Sequence, residues 1–271
     1  MPELPEVETI RRSIAPSLQG QTIQAVIVRE PRLRWLVPNT LATCLLGQVI
    51  HHIQRRGKYL LFQCEQGYLL VHLGMSGILR LLPAKTPVNK HDHLDIVFAN
   101  ELCLRYHDPR RFGCVLWTSE PISQHPLLIN LGPEPLEPDF SGNYLYHLAQ
   151  QRKVPVKTYI MNSHVVVGVG NIYANESLFL AGIHPTKPSG QITLERYQCL
   201  AKSIQQILSI AIESGGTTLR DFMDSAGKPG YFKPLLQIYG RTGQPCNQCG
   251  NPIQQQKLAQ RATYYCSNCQ S

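Results

Sequence analysis

With 271 residues and 43% hydrophobic composition, the chain can form one large or two ordinary domains and is too apolar to be disordered. The 26 Lys and Arg residues against 18 Asp and Glu leave a formal net charge of +8, although only 16% of residues are charged. That surplus points to a polyanionic partner, nucleic acid before an acidic membrane surface, and no run near 18 apolar residues is present to form a transmembrane helix.

The opening Met1-Pro2-Glu3-Leu4-Pro5-Glu6 is acidic and lacks the apolar core of a signal peptide, so a cytoplasmic protein is expected. Pro5, the early acids Glu6 and Glu8, and Val7, Ile10 and Ile14 at helical spacing predict a helix over 5–15, stopped by Pro16. From Thr22 the period changes to short β-rich runs at 22–28, 48–54, 59–64, 68–73, 78–82, 94–98, 102–106 and 115–118. Turns are expected at Gln66-Gly67 and Asn100-Glu101, and so many short strands imply a β-sandwich or barrel. Five prolines between Pro121 and Pro138 mark a domain boundary. Beyond it the period is helical, with Leu194, Tyr197, Ala201, Ile204, Leu208 and Ala211 forming a stripe after a Thr193 cap. Residues 215–234, rich in Gly, Pro and Ser, make a loop long enough to be functional.

Nine cysteines divide into two sets. Cys44, Cys64, Cys103, Cys114 and Cys199 stand singly in apolar stretches and read as buried thiols. Cys246-x2-Cys249, sixteen residues, then Cys266-x2-Cys269 has the spacing of a four-thiolate zinc site, whose filled coordination makes the metal structural. The strands between the knuckles would turn at Leu258-Ala259-Gln260, and residues 241–271 carry three cations and no acid, a basic hairpin for a polyanion.

Three further stretches carry chemistry. Gly168-Val169-Gly170-Asn171-Ile172-Tyr173 lacks the third glycine and the βαβ surroundings of a dinucleotide fingerprint. It reads as a turn between helices with Asn171 capping the second, either holding a phosphate on backbone N–H groups or holding nothing. If Met1 is removed, Pro2 becomes a terminal secondary amine able to attack a carbonyl carbon, with Glu3 and Glu6 nearby to move protons; Pro and Glu are also ordinary at a helix start. Arg55-Arg56-Gly57-Lys58 and His107-Asp108-Pro109-Arg110-Arg111-Phe112-Gly113 are charged turns. In the second, Phe112 among cations is the kind of side chain pushed into a base stack.

In order along the whole chain, Pro2-Glu3-Leu4-Pro5-Glu6-Val7-Glu8, Gly57-Lys58-Tyr59, His72-Leu73-Gly74-Met75-Ser76-Gly77, Lys90-His91-Asp92-His93, Asp108 to Gly113, Gly168 to Ala174 and Gln260-Arg261-Ala262-Thr263 closely resemble formamidopyrimidine-DNA glycosylases. The resemblance implies an α+β protein. An N-terminal β-sandwich with flanking helices (1–120) would join, through a Pro-rich linker (121–140), a helix–two-turn–helix domain with a lesion loop (141–240) and a zinc finger (241–271), with DNA in the cleft. It implies a monomer that removes oxidised purines from damaged double-stranded DNA and cleaves the abasic strand by β,δ-elimination. By the same matching, Pro2 would be the nucleophile on C1′ and Glu3 the acid/base that opens the sugar. Lys58 would assist β-elimination and Arg261 δ-elimination, and His91, Arg110, Arg152 and Asn171 would contact phosphates. Met75, Arg110 and Phe112 would fill the gap left by the flipped base, the loop 217–231 would close over it, and Cys246, Cys249, Cys266 and Cys269 would hold one Zn2+. Arg152 stands where relatives often carry lysine, and Arg220 lies beside the expected lesion loop. Two other readings are an endonuclease VIII-like glycosylase for oxidised pyrimidines, which usually has glycine where this chain has Leu4, and a non-catalytic zinc-ribbon DNA-binding protein, which would need no Pro2, Glu3 and Lys58 together.

Overall fold

The first helix, α1, runs Leu4–Leu18, with Val7, Ile10 and Ile14 on its buried face and a Glu3/Glu6 capping box at its start. The expected stop at Pro16 does not occur. Proline removes one helical N–H, but Ala15 and Leu18 sit in the core and Gln19 N–H bonds Ala15 O, which holds the last turn. The computed structural model describes residues 2–217 and 235–271, so the expected lesion loop, apart from Thr217, and Arg220 lie outside the described residues.

Eight strands follow: β1 Ile23–Val28, β2 His52–Arg56, β3 Tyr59–Cys64, β4 Gly67–His72, β5 Ile78–Pro83, β6 Asp92–Phe98, β7 Leu102–His107 and β8 Cys114–Thr118. They form two four-stranded antiparallel sheets, ordered β1-β6-β7-β5 and β2-β3-β4-β8. Alternation explains the sandwich: Leu60 and Phe62, Leu69 and Val71, Leu94, Ile96 and Phe98, and Leu104 and Tyr106 all point into one core with the apolar face of α1. Each predicted run matches a strand, but the run at 48–54 begins late. Val49 makes only an isolated bridge to Thr22, and pairing in β2 starts at His52. A short helix, α2 Leu41–Leu45, fills the β1–β2 connection unforeseen.

The chain divides into two compact units, residues 1–129 with the segment from Ser214, and residues 130–213 with the C-terminal segment. The second contains α3 Gly142–Ala149, α4 Val156–Ile160, α5 Asn171–Leu180, α6 Leu194–Glu213 and the hairpin β9 Gln254–Leu258 and β10 Arg261–Tyr265. At Gly142, α3 meets α6 so closely that a Cβ would lie 2.4 Å from Gln198 Cα. The valines at 165–167 form no strand. They are a buried loop whose N–H groups bond Asn162 O and Pro133 O, which removes the support a dinucleotide fingerprint would need. The hairpin turns at Ala259 and Gln260, both at positive φ (46° and 62°), while Leu258 is already paired with Arg261. Among the described residues no helix is long and apolar enough to cross a membrane.

Candidate functional site

Pro2 and Glu3 are buried at the N-terminus of α1, where the helix dipole favours a carboxylate and disfavours a protonated amine. Glu6 is committed to structure. It accepts Glu3 N–H at 2.8 Å, Thr217 N–H at 2.9 Å and the Thr217 hydroxyl at 2.8 Å, so it anchors the residue where the expected lesion loop begins. Two residues further, Glu8 accepts from Arg11 and Arg12 and pairs with Arg55 at 3.3 Å. Burial alone would raise the Glu8 carboxyl, but the hydrogen bonds and charges of these arginines outweigh it and hold the pKa low. The Glu8–Arg55 pair fixes the start of α1 beside the end of β2, and Lys58 occupies the next turn.

That turn is a two-residue hairpin, Gly57-Lys58, with Gly57 at φ 56°, a conformation that matches the twist of paired strands and suits glycine. His72 pairs with Tyr59 in register, next to Lys58. Burial first, then the charges of Lys58 and Arg34, lower its pKa to about 4, and its Nδ1 accepts Gly74 N–H at 3.0 Å. His72 is therefore a neutral imidazole with its proton on Nε2, a donor beside Lys58 that reading the sequence did not single out.

The expected wedge residues come together in the first unit. Met75 is 39% exposed and Phe112 42% exposed, unusual for large apolar side chains, and the Arg110 guanidinium lies 4.7 Å over the Phe112 ring. His91 stands at φ 73° with the rings of His93 and His107 at 6.2 and 6.1 Å. Desolvation first, then the charges of Lys90, His107, His93 and Arg111, lowers its pKa, and Lys90 and Arg111 make the surroundings suited to a phosphate.

In the second unit the finger hairpin is welded to the helices. Buried Lys157 donates to Ala262 O at 2.9 Å and Thr263 Oγ1 at 2.7 Å, Tyr264 N–H donates to Asn175 Oδ1 at 2.8 Å, and Asn171 Nδ2 reaches Ala262 O at 3.1 Å. Glu176, buried in α5, accepts N–H bonds from Gln237, Ile238 and Tyr239, which fixes the entry to the finger. These bonds place Arg261 at a pocket of about 300 Å³ that it lines with Arg152, Lys157 and Tyr159. Arg152 and Arg261 are exposed there and can hold a phosphate, while the buried Lys157 ammonium is committed to Ala262 and Thr263. Lys157 was missed in the sequence because a lysine on an apolar helical turn looks like a misplaced surface residue until its partners on β10 are known. Asn171 does not cap α5: Gly170 is the cap and Asn171 the first helical residue, its side chain drawn to the finger strand.

The four C-terminal cysteine sulfurs lie within 4.8 Å of one another, with Cys246–Cys269 at 3.9 Å and Cys249–Cys266 at 3.5 Å. Sulfurs bound tetrahedrally to zinc at about 2.3 Å lie roughly 3.8 Å apart, so the donor set fits one structural zinc and is far too open for disulfides. Cys246 O accepts Gly250 N–H and Cys266 O accepts Gln270 N–H, which closes both knuckles. Of the other cysteines, Cys64, Cys103 and Cys114 are buried as expected; Cys44 is half-buried and Cys199 is exposed, because it falls off the apolar stripe of α6.

Comparison with known proteins matches three family models. Residues 1–115 match the formamidopyrimidine-DNA glycosylase N-terminal domain, 131–223 the formamidopyrimidine-DNA glycosylase H2TH domain, and 243–271 the zinc finger found in FPG and IleRS. The chain is 58% identical over 270 residues to formamidopyrimidine-DNA glycosylase of Methylococcus capsulatus and 57% identical to that of Nitrosococcus oceani, covering 100% of each chain. Among solved structures it resembles the MutM (FPG) protein of Thermus thermophilus, with 37% identity, TM-score 0.90, and 99% and 98% of the two chains covered. It also resembles Lactococcus lactis Fpg in complex with DNA containing an abasic site, with 38% identity, TM-score 0.91 and 99% of each chain covered.

Proposed function

This chain belongs to the formamidopyrimidine-DNA glycosylase family and is a base-excision repair DNA glycosylase with abasic-site lyase activity; we propose that Pro2 carries its reaction on damaged double-stranded DNA bearing an oxidised purine. The observation that carries this reading is the buried Pro2-Glu3 pair at the head of α1, in the unit that also holds Lys58 and the exposed Met75 and Phe112.

Base chemistry inside a duplex requires extrusion, at a few kcal/mol of lost stacking and pairing, and Met75, Arg110 and Phe112 fill the vacated space. Once Met1 is removed, the Pro2 nitrogen lone pair attacks C1′, and the base leaves with the electron pair of its bond to C1′ and takes up the proton that the Pro2 nitrogen loses. Glu3 delivers a proton to the sugar ring oxygen, the ring opens, and nitrogen and C1′ share an iminium double bond. The iminium acidifies the C2′ proton, whose loss expels the 3′ phosphate. A further proton loss expels the 5′ phosphate, assisted by Arg261. Lys58 supports the first elimination and neutralises phosphate charge, and His91, Arg110, Arg152 and Asn171 bind flanking phosphates. Zinc at Cys246, Cys249, Cys266 and Cys269 has every position filled, so it shapes the finger and does no chemistry. The protein acts as a cytoplasmic, DNA-associated monomer.

With Met1 attached, the Pro2 nitrogen is a planar amide and cannot attack. A free α-amino group of pKa about 7.7–8.0 supplies neutral amine near pH 7. Active protein therefore begins at Pro2 by intact mass. A residual N-terminal tag abolishes borohydride trapping on 8-oxoguanine duplexes but spares binding. Full trapping by protein that retains Met1 would transfer the role to a lysine, first Lys58.

A further inference from the structure

Asp108 has 0% exposure, and four donors converge on its carboxylate. Oδ1 accepts the Ser76 hydroxyl at 2.6 Å and Arg110 N–H at 3.2 Å; Oδ2 accepts Gly113 N–H at 3.0 Å and the Tyr106 hydroxyl at 3.2 Å. Its carbonyl accepts His93 Nε2–H at 2.7 Å. Three of the four donors sit on the segments that display the exposed apolar tips. Ser76 follows Met75, while Arg110 and Gly113 bracket Phe112. Arg110 N–H also lies 3.3 Å from Ser76 Oγ, so the hydroxyl bridges the two segments directly.

The backbones touch at the same place. Gly74 adopts φ 62°, and a Cβ there would lie 2.4 Å from Phe112 C and 2.5 Å from Gly113 N. Residues 73–77 and 108–113 thus abut with no side chain between them. The buried group that ties both together is a carboxylate, which accepts hydrogen bonds without donating any.

We propose that Asp108 is a positioning residue for lesion extrusion: its buried carboxylate fastens loop 73–77 and turn 108–113 into one two-pronged wedge, so that Met75 and Phe112 enter the base stack as a unit. This rests on the assignment of Met75 and Phe112 as gap-fillers. Two independently mobile tips would each lose conformational freedom on insertion, whereas a pre-tied pair has lost it during folding. Asp108→Asn keeps the shape but turns one acceptor into a donor facing donors. Ser76→Ala removes only the strut to Met75, and Tyr106→Phe removes one bond to the carboxylate without touching either tip.

Stopped-flow fluorescence of 2-aminopurine placed beside 8-oxoguanine reads wedge insertion, and single-turnover cleavage of a preformed abasic site reads the later chemistry. Ser76→Ala and Asp108→Asn slow insertion about tenfold, the scale of one charge-assisted hydrogen bond, and change abasic cleavage by less than about twofold, as does Tyr106→Phe for both readouts. In a Met75→Ala/Phe112→Ala background, already slow, Ser76→Ala adds nothing. If Ser76→Ala slows insertion as much in that background as in the parent, Asp108 serves only the fold and the proposal falls. Unchanged insertion in Asp108→Asn also overturns it. If Met75→Ala/Phe112→Ala inserts at the parent rate, the gap-filling assignment itself fails and takes this proposal with it.

Discussion

Replacing Arg105 with methionine tests whether a buried ion ladder holds the loop that carries His91. Arg105 is 1% exposed at its side chain, faces Asp95 across the β6–β7 pair, and grips it with bonds of 2.8 and 2.9 Å. Asp92 lies 3.5 Å away and also takes His107 Nδ1 at 2.8 Å, while Arg29 reaches Asp95 at 2.6 Å. Burial raises the Asp95 carboxyl, but the hydrogen bonds and charges of Arg29 and Arg105 outweigh it and keep its pKa low. The remaining Arg105 donors go to Thr86 O and Pro87 O, which tether residues 84–91 to the sheet. Methionine preserves most of the volume and removes the charge, leaving Asp95 and Asp92 undercompensated. Breaking a buried pair in this way costs about 3–5 kcal/mol. At about 2–4 °C per kcal/mol for a protein of this size, the melting midpoint falls by roughly 6–20 °C. Release of the loop also weakens the His91 contact, so binding falls at every salt concentration while the slope of log K against log[salt] stays the same, because an imidazole of lowered pKa is neutral near pH 7 and releases no counterion. Calorimetry and fluorescence anisotropy over a salt series measure both. A midpoint shift below about 2 °C with an unchanged affinity would refute the argument, because the ladder would then neither stabilise the sheet nor hold the loop.

Three further outcomes follow from the site. One zinc per chain copurifies, and Cys249→Ala abolishes DNA binding while the sandwich unit keeps its circular dichroism, since ligation and finger folding are coupled; protein free of metal by elemental analysis would contradict this. Arg261→Ala retains base removal and β-elimination and accumulates the 3′-unsaturated aldehyde, read from the 3′ ends on sequencing gels. For the parent, neutralisation of about five or six phosphates gives a salt slope of about −5, and a slope near zero would mean a partner that is not a polyanion.

Local regularities carried much of the fold on their own. Short β-rich runs located all eight sandwich strands because β-branched and aromatic side chains suit a pleated, packed surface, even where a strand such as β6 is buried on both faces, and the doubled Cys-x2-Cys spacing located the metal site because a knuckle is a local structure. The ordered motifs around Pro2, Lys58, Met75, Phe112 and Arg261 carry the proposed assignment of the chemistry for the same reason: each is a short stretch whose residue types are unusual together. What only the tertiary structure decided depends on partners far apart in the chain. Helix α1 continues past Pro16 because core packing offsets one missing hydrogen bond, which no helical pattern records. Asn171 turns from capping its own helix to Ala262 O, 91 residues away, and Lys157 is buried only because Ala262 and Thr263 receive it. Arg105 and Asp108 look in sequence like surface charges in a strand and a turn. Their burial follows from sheet register and loop contact, which put Asp95 opposite one and Ser76 beside the other. Spacing along a chain encodes periodicity and chelation; the pairing of a buried charge is encoded by the whole fold that excludes water from it.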